Sequence, residues 1–129
     1  MAYISNWKKI FGRYGEDITC SFLQKTGHII VARNYQKRWG EIDIISIKDN
    51  IHHFTEVKSV SRSFALSKGH RPIDNVCGLK TKKLRRMIET YLFENDLGQE
   101  REIIFNVACV YYDHIKGKWD VEFMWNVII

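Results

Sequence analysis

The stretch that decides the fold reads Gly40-Glu-Ile-Asp43-Ile-Ile-Ser-Ile-Lys48-Asp-Asn50-Ile-His-His-Phe-Thr-Glu56-Val-Lys58. Two apolar-rich runs meet at Asp49-Asn50, and these residue types tolerate the positive φ angles of a two-residue hairpin loop. We therefore predict a β-hairpin in which the residue numbers of opposed pairs add to 99. This register places Asp43 across from Glu56. It also places Glu41 across from Lys58.

The opposed carboxylates are the unusual feature of this hairpin. Cβ atoms of opposed residues lie about 4.5–5.5 Å apart, so two ionised acids there repel each other. A divalent cation such as Mg²⁺ removes that cost, because it takes hard oxygen ligands and completes its shell with water. Lys58 lies two residues beyond Glu56 on the same face, where it would neutralise charge or orient a water. The alternative interpretation is a solvent-facing polar stripe on an edge hairpin, which is ordinary in antiparallel sheets.

The composition favours one compact domain spanning residues 1–129, since 45% of the residues are hydrophobic. No apolar run approaches the roughly 18–20 residues of a membrane span, and the first residues lack the apolar region of a secretory signal. Three cysteines occur without a C-x-x-C pair, which is typical of reduced thiols. We therefore expect a cytoplasmic protein without a membrane partner.

The charge balance favours a polyanionic partner, because 20 Lys and Arg against 15 Asp and Glu give a net charge of +5. Two basic clusters follow the hairpin directly. The first contains Arg62, Lys68, His70 and Arg71, and the second contains Lys80, Lys82, Lys83, Arg85 and Arg86. A solvated helix face explains the second cluster as well as a phosphate-binding surface does.

Hydrophobic periodicity gives the order α-β-β-β-α-β-β. We expect a helix over 5–25 with Gly27 after its end, a strand over 28–32, a polar loop over 33–39, hairpin strands over 41–48 and 51–60, a loop over 61–71, a helix entered at Pro72 and Asp74 and ending near Gly98, and strands over 103–112 and 119–125. A strand, a helix and a buried strand in succession imply a parallel crossover. The predicted fold class is therefore α/β, with a mixed central sheet and flanking helices.

Several residues that invite a functional interpretation favour a structural one. His52 and His53 are adjacent in a strand, so they point to opposite faces and do not chelate one ion together. The aromatic residues near the C-terminus are more typical of sheet core and sheet surface than of a base-stacking platform: Tyr111, Tyr112, Trp119, Phe123 and Trp125.

Five fragments carry a family resemblance: Gly12-Arg-Tyr-Gly15-Glu16, Ala32-Arg-Asn34-Tyr35, Gly40-Glu-Ile-Asp43-Ile-Ile45, Thr55-Glu-Val-Lys58 and Lys80-x-x-Lys83-Leu84. In this order they resemble the YraN family of small bacterial proteins, which are predicted endonucleases related to archaeal Holliday-junction resolvases. The resemblance implies the restriction-endonuclease-like fold, whose active site is the PD-(D/E)-x-K constellation.

The resemblance also implies roles for individual residues. Asp43 matches the first metal-binding acid, Glu56 the second, and Lys58 the catalytic lysine. Glu16 matches an acid on the first helix that completes the site. The implied cofactor is Mg²⁺ or Mn²⁺, and the implied substrate is branched or otherwise structured DNA.

Further residues are assigned around this centre. Lys80 matches a family lysine near the scissile phosphate, and Glu41, also in the family pattern, would hold Lys58 by an ion pair. The remaining candidates for contacts with nucleic acid are Arg62, Lys68, Arg71 and Lys83. Because junction resolvases act as dimers, the resemblance also implies pairing of two copies, for which an exposed strand edge would serve.

The chain departs from the family pattern in one strand. The family reads Arg-Phe-Asp where this chain has Ile104-Phe105-Asn106. The departure keeps open one alternative to a nuclease, a nucleic-acid-binding module that has lost turnover. The basic surface keeps open a second, a domain that binds an acidic protein.

Overall fold

The computed structural model describes the backbone of residues 2–61 and 81–129 and the side chains of residues 9–60 and 81–129. Its elements are α1 (Ala2–Lys25), β1 (Ile29–Lys37), β2 (Gly40–Lys48), β3 (Ile51–Ser61), α2 (Thr81–Glu94), β4 (Ile103–Asp113) and β5 (Lys118–Met124). Over residues 2–61 and 81–129, the elements follow the predicted order. The expected entry to α2 at Pro72 and Asp74 lies outside the described residues.

The five strands form one sheet in the order β1-β2-β3-β4-β5. Neighbouring strands are antiparallel except β3 and β4, which are parallel. The predicted mixed sheet, with a parallel strand added after the second helix, is therefore confirmed. Strands β1 and β5 are its two edges.

The hairpin of β2 and β3 has the predicted loop and register. Asp49 and Asn50 have φ angles of 51° and 63°, as a two-residue loop with both central residues left-handed requires. Pairing runs from Lys48↔Ile51 to Ile44↔Thr55 without a shift.

The first strand is longer than its sequence predicted. The polar segment expected as a loop over 33–39 continues β1 to Lys37, where Gln36 pairs with Glu41 and Lys37 with Gly40. An edge strand keeps one row of backbone groups and many side chains in water, so polar residues do not interrupt it. The prediction of a loop from residue 33 onward was wrong for this reason.

Both helices are followed by a residue with a left-handed backbone conformation, but the second helix ends earlier than predicted. At the end of α1, Gly27 has a φ of 99° and the His28 N–H donates to Leu23 O at 2.9 Å, so the predicted C-terminal glycine is confirmed. Helix α2 ends at Glu94 rather than near Gly98. Asp96 takes the left-handed position there, with a φ of 54°, because a short polar side chain tolerates that conformation.

The helices cover opposite faces of the sheet. Cys20 and Leu23 of α1 pack with Ile44 on one face, and α2 packs on the other through Leu84, Met87, Ile88, Tyr91 and Leu92. The larger cluster, beneath α2, includes Phe54 of β3 and Phe105 of β4. Within the described residues, no helix is long and apolar enough to cross a membrane.

Candidate active site

The site begins where β2 and β3 stop pairing. Beyond Ile44↔Thr55 the regular ladder ends, and the Val57 N–H donates instead to Asp43 Oδ2 at 2.8 Å. The side-chain carboxyl of Asp43 therefore occupies the position of a strand carbonyl. The carboxyl groups of Asp43 and Glu56 are hydrogen-bonded to each other, so the two acids meet as predicted although the regular strand pairing ends one residue earlier.

Strand alternation is interrupted at Asp43, which accounts for its position. Ile42 and Ile45 both pack into the cluster beneath α2, although an odd spacing would place them on opposite faces of a regular strand. On β1, the neighbouring residue Asn34 has a φ of 53°. The two strands thus change phase at the same level, and the carboxyl of Asp43 is drawn between β2 and β3.

The electrostatics of the two acids are those of a buried like-charge pair. Asp43 is 6% exposed, and burial raises its pKa while the hydrogen bond from the Val57 N–H lowers it. Burial, followed by the charge of Asp43, raises the pKa of Glu56 to about 8. Because burial and mutual repulsion disfavour two ionised carboxyls, the pair tends to retain one proton near neutral pH.

Lys58 is the cation nearest to this pair among the described contacts. Its Nζ lies 4.0 Å from Glu56 Oε1, and its side chain is 42% exposed. The charge of Lys58 lowers the pKa of both Asp43 and Glu56. The predicted grouping of these three residues on one side of the hairpin is what the structure contains.

Glu16 reaches the same region from α1. Burial and the charge of Asp43 raise the pKa of its carboxyl, whereas Arg33 and a hydrogen bond from Asn34 lower it. Arg33 Nη2 lies 3.8 Å from Glu16 Oε1 and donates to Asp17 Oδ1 at 2.7 Å. Helix α1 therefore supplies a third carboxyl to the site, and β1 supplies the two side chains that hold it.

Arg33 and Asn34 were missed as site residues by the sequence reasoning. The signal was present, because both stand in the fragment Ala32-Arg-Asn34-Tyr35 that carries part of the family resemblance. That segment was interpreted as a loop, and a loop gives no register against Glu16.

Glu41 has a different partner from the one predicted. Its Oε2 accepts a hydrogen bond from Gln36 Nε2 at 2.9 Å across β1 and β2, and the lysine contact of the site is between Lys58 and Glu56. The hairpin ladder ends before the level at which Glu41 would face Lys58. Glu41 acts on the site at longer range, since its charge raises the pKa of Asp43 and Glu56.

A divalent metal fits the donor chemistry of this site. Two carboxyls in contact, with two more acids near, offer hard oxygen ligands and more negative charge than Lys58 balances. Among the described residues, no three His, Cys, Asp or Glu side chains converge into a complete ligand set. The protein would therefore supply Asp43 and Glu56, and water would complete an octahedral shell.

The predicted nucleic-acid contacts are described only in part. Lys83 is exposed in the first turn of α2. The ring of Tyr91, near the end of α2, lies 5.5 Å from that of Phe54, while Met87, about one turn earlier, lies against Gly40 at the start of β2. That end of β2 is the one nearest to Lys58 in the hairpin register. Helix α2 therefore runs antiparallel to β3, and its first turn lies toward the Lys58 end of that strand. The other candidates, Arg62, Lys68, Arg71 and Lys80, lie outside the described residues.

Asn106, the departure from the family pattern, lies away from the acids. Its Nδ2 is 3.0 Å from His53 Nδ1, and its Oδ1 accepts from the Asn126 N–H at 3.0 Å. His53 packs against His28 next to α1, whereas His52 contacts Tyr91 of α2, so the predicted opposite orientation of these histidines is confirmed. Asn106 thus satisfies buried groups on the α1 face, and Glu56 extends from the other.

Comparison with known proteins gives a family without a named activity. A family model described as "Uncharacterised protein family UPF0102" matches residues 15–115. A UPF0102 protein of Helicobacter hepaticus is 42% identical over 108 residues, which cover 81% of this chain and 92% of the relative. A UPF0102 protein of Clostridium novyi is 35% identical over 122 residues, which cover 94% and 97%. These matches confirm the resemblance to the YraN family, and the names of the relatives state no chemistry.

Proposed function

Because the chain belongs to the uncharacterised protein family UPF0102, we propose from its own residues that it is a metal-dependent endonuclease acting on branched or otherwise structured DNA. The observation that carries the proposal is the buried contact between the carboxyls of Asp43 and Glu56, with Lys58 4.0 Å from Glu56. A fold that needs only stability has little use for two acids in contact beneath its surface. We propose that the fold that carries this site is the restriction-endonuclease-like fold.

Each residue has a distinct part in the proposed hydrolysis. Asp43 and Glu56 would hold Mg²⁺ or Mn²⁺, which when bound polarises the scissile phosphate and lowers the pKa of water. Lys58 would neutralise negative charge that develops on the phosphate in the transition state. Glu16, held by Arg33, would complete the acidic side of the site or orient a water. A substrate phosphate would approach between Lys58 and the first turn of α2.

The proposal is tested with a panel of nicked, flapped, four-way-junction and single-stranded DNA substrates in Mg²⁺ or Mn²⁺. We expect cleavage of at least one substrate, and its loss by a factor of roughly 100 or more in Glu56→Gln and Lys58→Ala. Circular dichroism and denaturant unfolding of each variant establish that the fold is retained.

Matched controls come from exposed positions of the same residue types, Glu89→Gln on α2 and Lys25→Ala at the end of α1. These variants should cleave at the wild-type rate. Undiminished cleavage by Glu56→Gln would refute the assignment. Binding of DNA without cleavage in any divalent metal would favour the non-catalytic binding module, and an absence of salt-dependent binding to every DNA would favour a protein partner.

A further inference from the structure

A second feature of the surface is an aromatic groove between α1 and the sheet edge. The groove has a volume of about 250 Å³ and is lined by Ile10, Phe11, Tyr14, Tyr112, His114 and Trp119. The Trp119 ring lies 5.0 Å from that of Phe11, 4.9 Å from that of Tyr112 and 6.5 Å from that of Tyr14. Trp119 therefore stands at the centre of the aromatic wall.

Part of this wall is not used in packing. Tyr14 is 55% exposed and Ile10 is 54% exposed, although both lie on a helix that buries other residues against the sheet. Exposed apolar surface that forms a concave patch with adjacent rings is a mark of a binding site.

The rim of the groove is basic. A depression of about 460 Å³ continues it along α1, shares Ile10 and Tyr14 with it, and adds Lys9, Arg13 and Asp17 to the lining. The carboxylate of Asp17 is engaged by Arg33 at 2.7 Å. Lys116 is exposed in the turn after β4, two residues beyond the lining residue His114.

Two acidic side chains near this turn have hydrogen-bond partners in the structure. The carboxylate of Asp113 accepts hydrogen bonds from the N–H groups of Ile115 and Lys116, which shapes the turn. Glu122 accepts a hydrogen bond from the Tyr111 hydroxyl. It lies at odd spacing from Trp119 on β5 and so faces the other side of the sheet.

The groove is close to the candidate active site. Gly15, next to Tyr14, packs against Ser59, the residue after Lys58. Tyr112 pairs with Ser61, which is three residues or about 10 Å along β3 from Lys58. Lys58 shares the α2 face of β3 with Phe54 and Val60, whereas the groove lies on the α1 face. A nucleic-acid strand that contacts both must therefore pass from one face of the sheet to the other.

We propose that the groove of Phe11, Tyr14, Tyr112 and Trp119 is a stacking site for an unpaired base, and that Lys9, Arg13 and Lys116 hold the phosphates on either side. Aromatic rings that accept any base face, combined with a basic track, are how proteins bind single-stranded nucleic acid. The inference rests on the proposed function and deepens it, because it assigns substrates with a single-stranded segment near the cut. A paired duplex cannot offer its base faces to Tyr14.

The test measures affinity by fluorescence anisotropy, with a labelled oligothymidylate and a blunt duplex of equal length, in EDTA so that cleavage does not contribute. Tyr14→Ala should weaken binding of the oligothymidylate roughly tenfold and leave the duplex within about twofold. The matched control is Phe93→Ala, which removes a 79% exposed ring on α2 and should change neither affinity. Replacing Lys9 and Arg13 by Gln should lower the single-strand salt slope by roughly 1.4.

Equal binding of the oligothymidylate by wild type and Tyr14→Ala would overturn the inference, and so would an equal loss in Phe93→Ala. Unchanged oligothymidylate binding by Tyr14→Ala is also expected if the groove binds a protein segment instead of a base. Because the assay does not require turnover, its outcome is independent of the cleavage test. A protein that cleaves DNA but binds the oligothymidylate regardless of Tyr14 would refute only the stacking site.

Discussion

At the scale of single residues, Glu56 shows what the site costs the fold. Its carboxyl is drawn against Asp43 and desolvated, so its pKa rises to about 8. In the absence of a cation, the protein must either retain a proton or accept repulsion between two buried charges. Residues that are held in an unfavourable environment of this kind are typical of functional sites, where stability is given up for chemistry.

Glu56→Gln should therefore make the metal-free protein more stable. The change keeps the shape of the side chain and removes the repulsive charge, so urea unfolding near pH 8 in EDTA should show a gain of about 1 kcal/mol. Added Mg²⁺ should stabilise the wild type and leave the variant unchanged, since a ligand stabilises only a state that binds it. Glu89→Gln serves as the control and should stay within about 0.5 kcal/mol under both conditions. A loss of stability in Glu56→Gln would contradict the expectation.

The central acids could be predicted from the sequence, whereas their supporting residues could not. The Asp49-Asn50 turn fixes the hairpin register, and this register predicts that Asp43 lies near Glu56. The interruption of β2 at Asp43, which the register does not predict, brings the two carboxyls into contact. The position of Arg33 and Asn34 beside Glu16 depends on the left-handed φ of Asn34 and on a shift in the β1–β2 pairing. Such irregularities arise from the packing of the whole sheet, and alternation of polar and apolar residues does not encode them.

At the scale of elements, α1 approaches β3 closely at Gly15. A Cβ added to Gly15 would overlap Ser59 Oγ and lie 3.1 Å from Ser59 Cβ, whereas nothing lies within 4 Å of one added to Gly12. Both glycines disfavour a helix to the same degree. The close approach explains why a poor helix former stands at Gly15, one residue before Glu16.

The two glycines should respond to alanine in opposite directions. Gly12→Ala should raise the free energy of unfolding by about 0.5–1 kcal/mol through helix propensity alone. Gly15→Ala gains the same propensity but forces α1 away from β3, and overpacking of this kind costs about 1–3 kcal/mol. Denaturant unfolding of both variants checks the pair. A Gly15→Ala protein as stable as Gly12→Ala would show that α1 moves without cost.

The α1 face also contains a pair of buried histidines. His28 Nδ1 lies 2.9 Å from Ser46 Oγ, and its ring contacts that of His53. Burial, then the charges of His53 and Lys48, lower the pKa of His28 to about 4, against the effect of Asp49. These contacts join the end of α1 to β2 and β3, and the lowered pKa keeps the His28 imidazole neutral above about pH 4.

Stability should consequently fall as the pH is lowered from about 6.5 to about 4. In this window the unfolded chain binds a proton at His28 and the folded protein does not, so the free energy of unfolding decreases with falling pH. His28→Asn, which retains a polar group near Ser46, should reduce the loss between about pH 7 and pH 5 by about 1–2 kcal/mol. Urea unfolding of both proteins at the two pH values measures the difference. Parallel pH profiles would contradict this role of His28.

At the scale of the whole molecule, the net charge of +5 coexists with a site that is locally acidic. Glu16, Glu41, Asp43 and Glu56 all act on the same region, so the positive charge lies elsewhere on the surface. A polyanion would be attracted to the molecule as a whole and admitted to the acids only together with cations. The positions of the acids and of the basic clusters in the sequence predicted this sign pattern, but the direction of α2 became apparent only from the contacts of Tyr91 with Phe54 and of Met87 with Gly40.

Because of the direction of α2, a substitution of Lys83 tests whether DNA binds over this surface. The first turn of this helix lies toward the Lys58 end of β3, so a duplex bound over the site would bring a phosphate to Lys83. Each phosphate contact contributes roughly 0.9 to the slope of log affinity against log salt. Lys83→Gln should therefore lower the slope for duplex DNA by about 0.9. Lys25→Gln, at the C-terminal end of α1, should leave the salt slope unchanged. Anisotropy titrations in EDTA over a range of salt concentrations give both slopes, and equal slopes for the two variants would mean that DNA does not cross the first turn of α2.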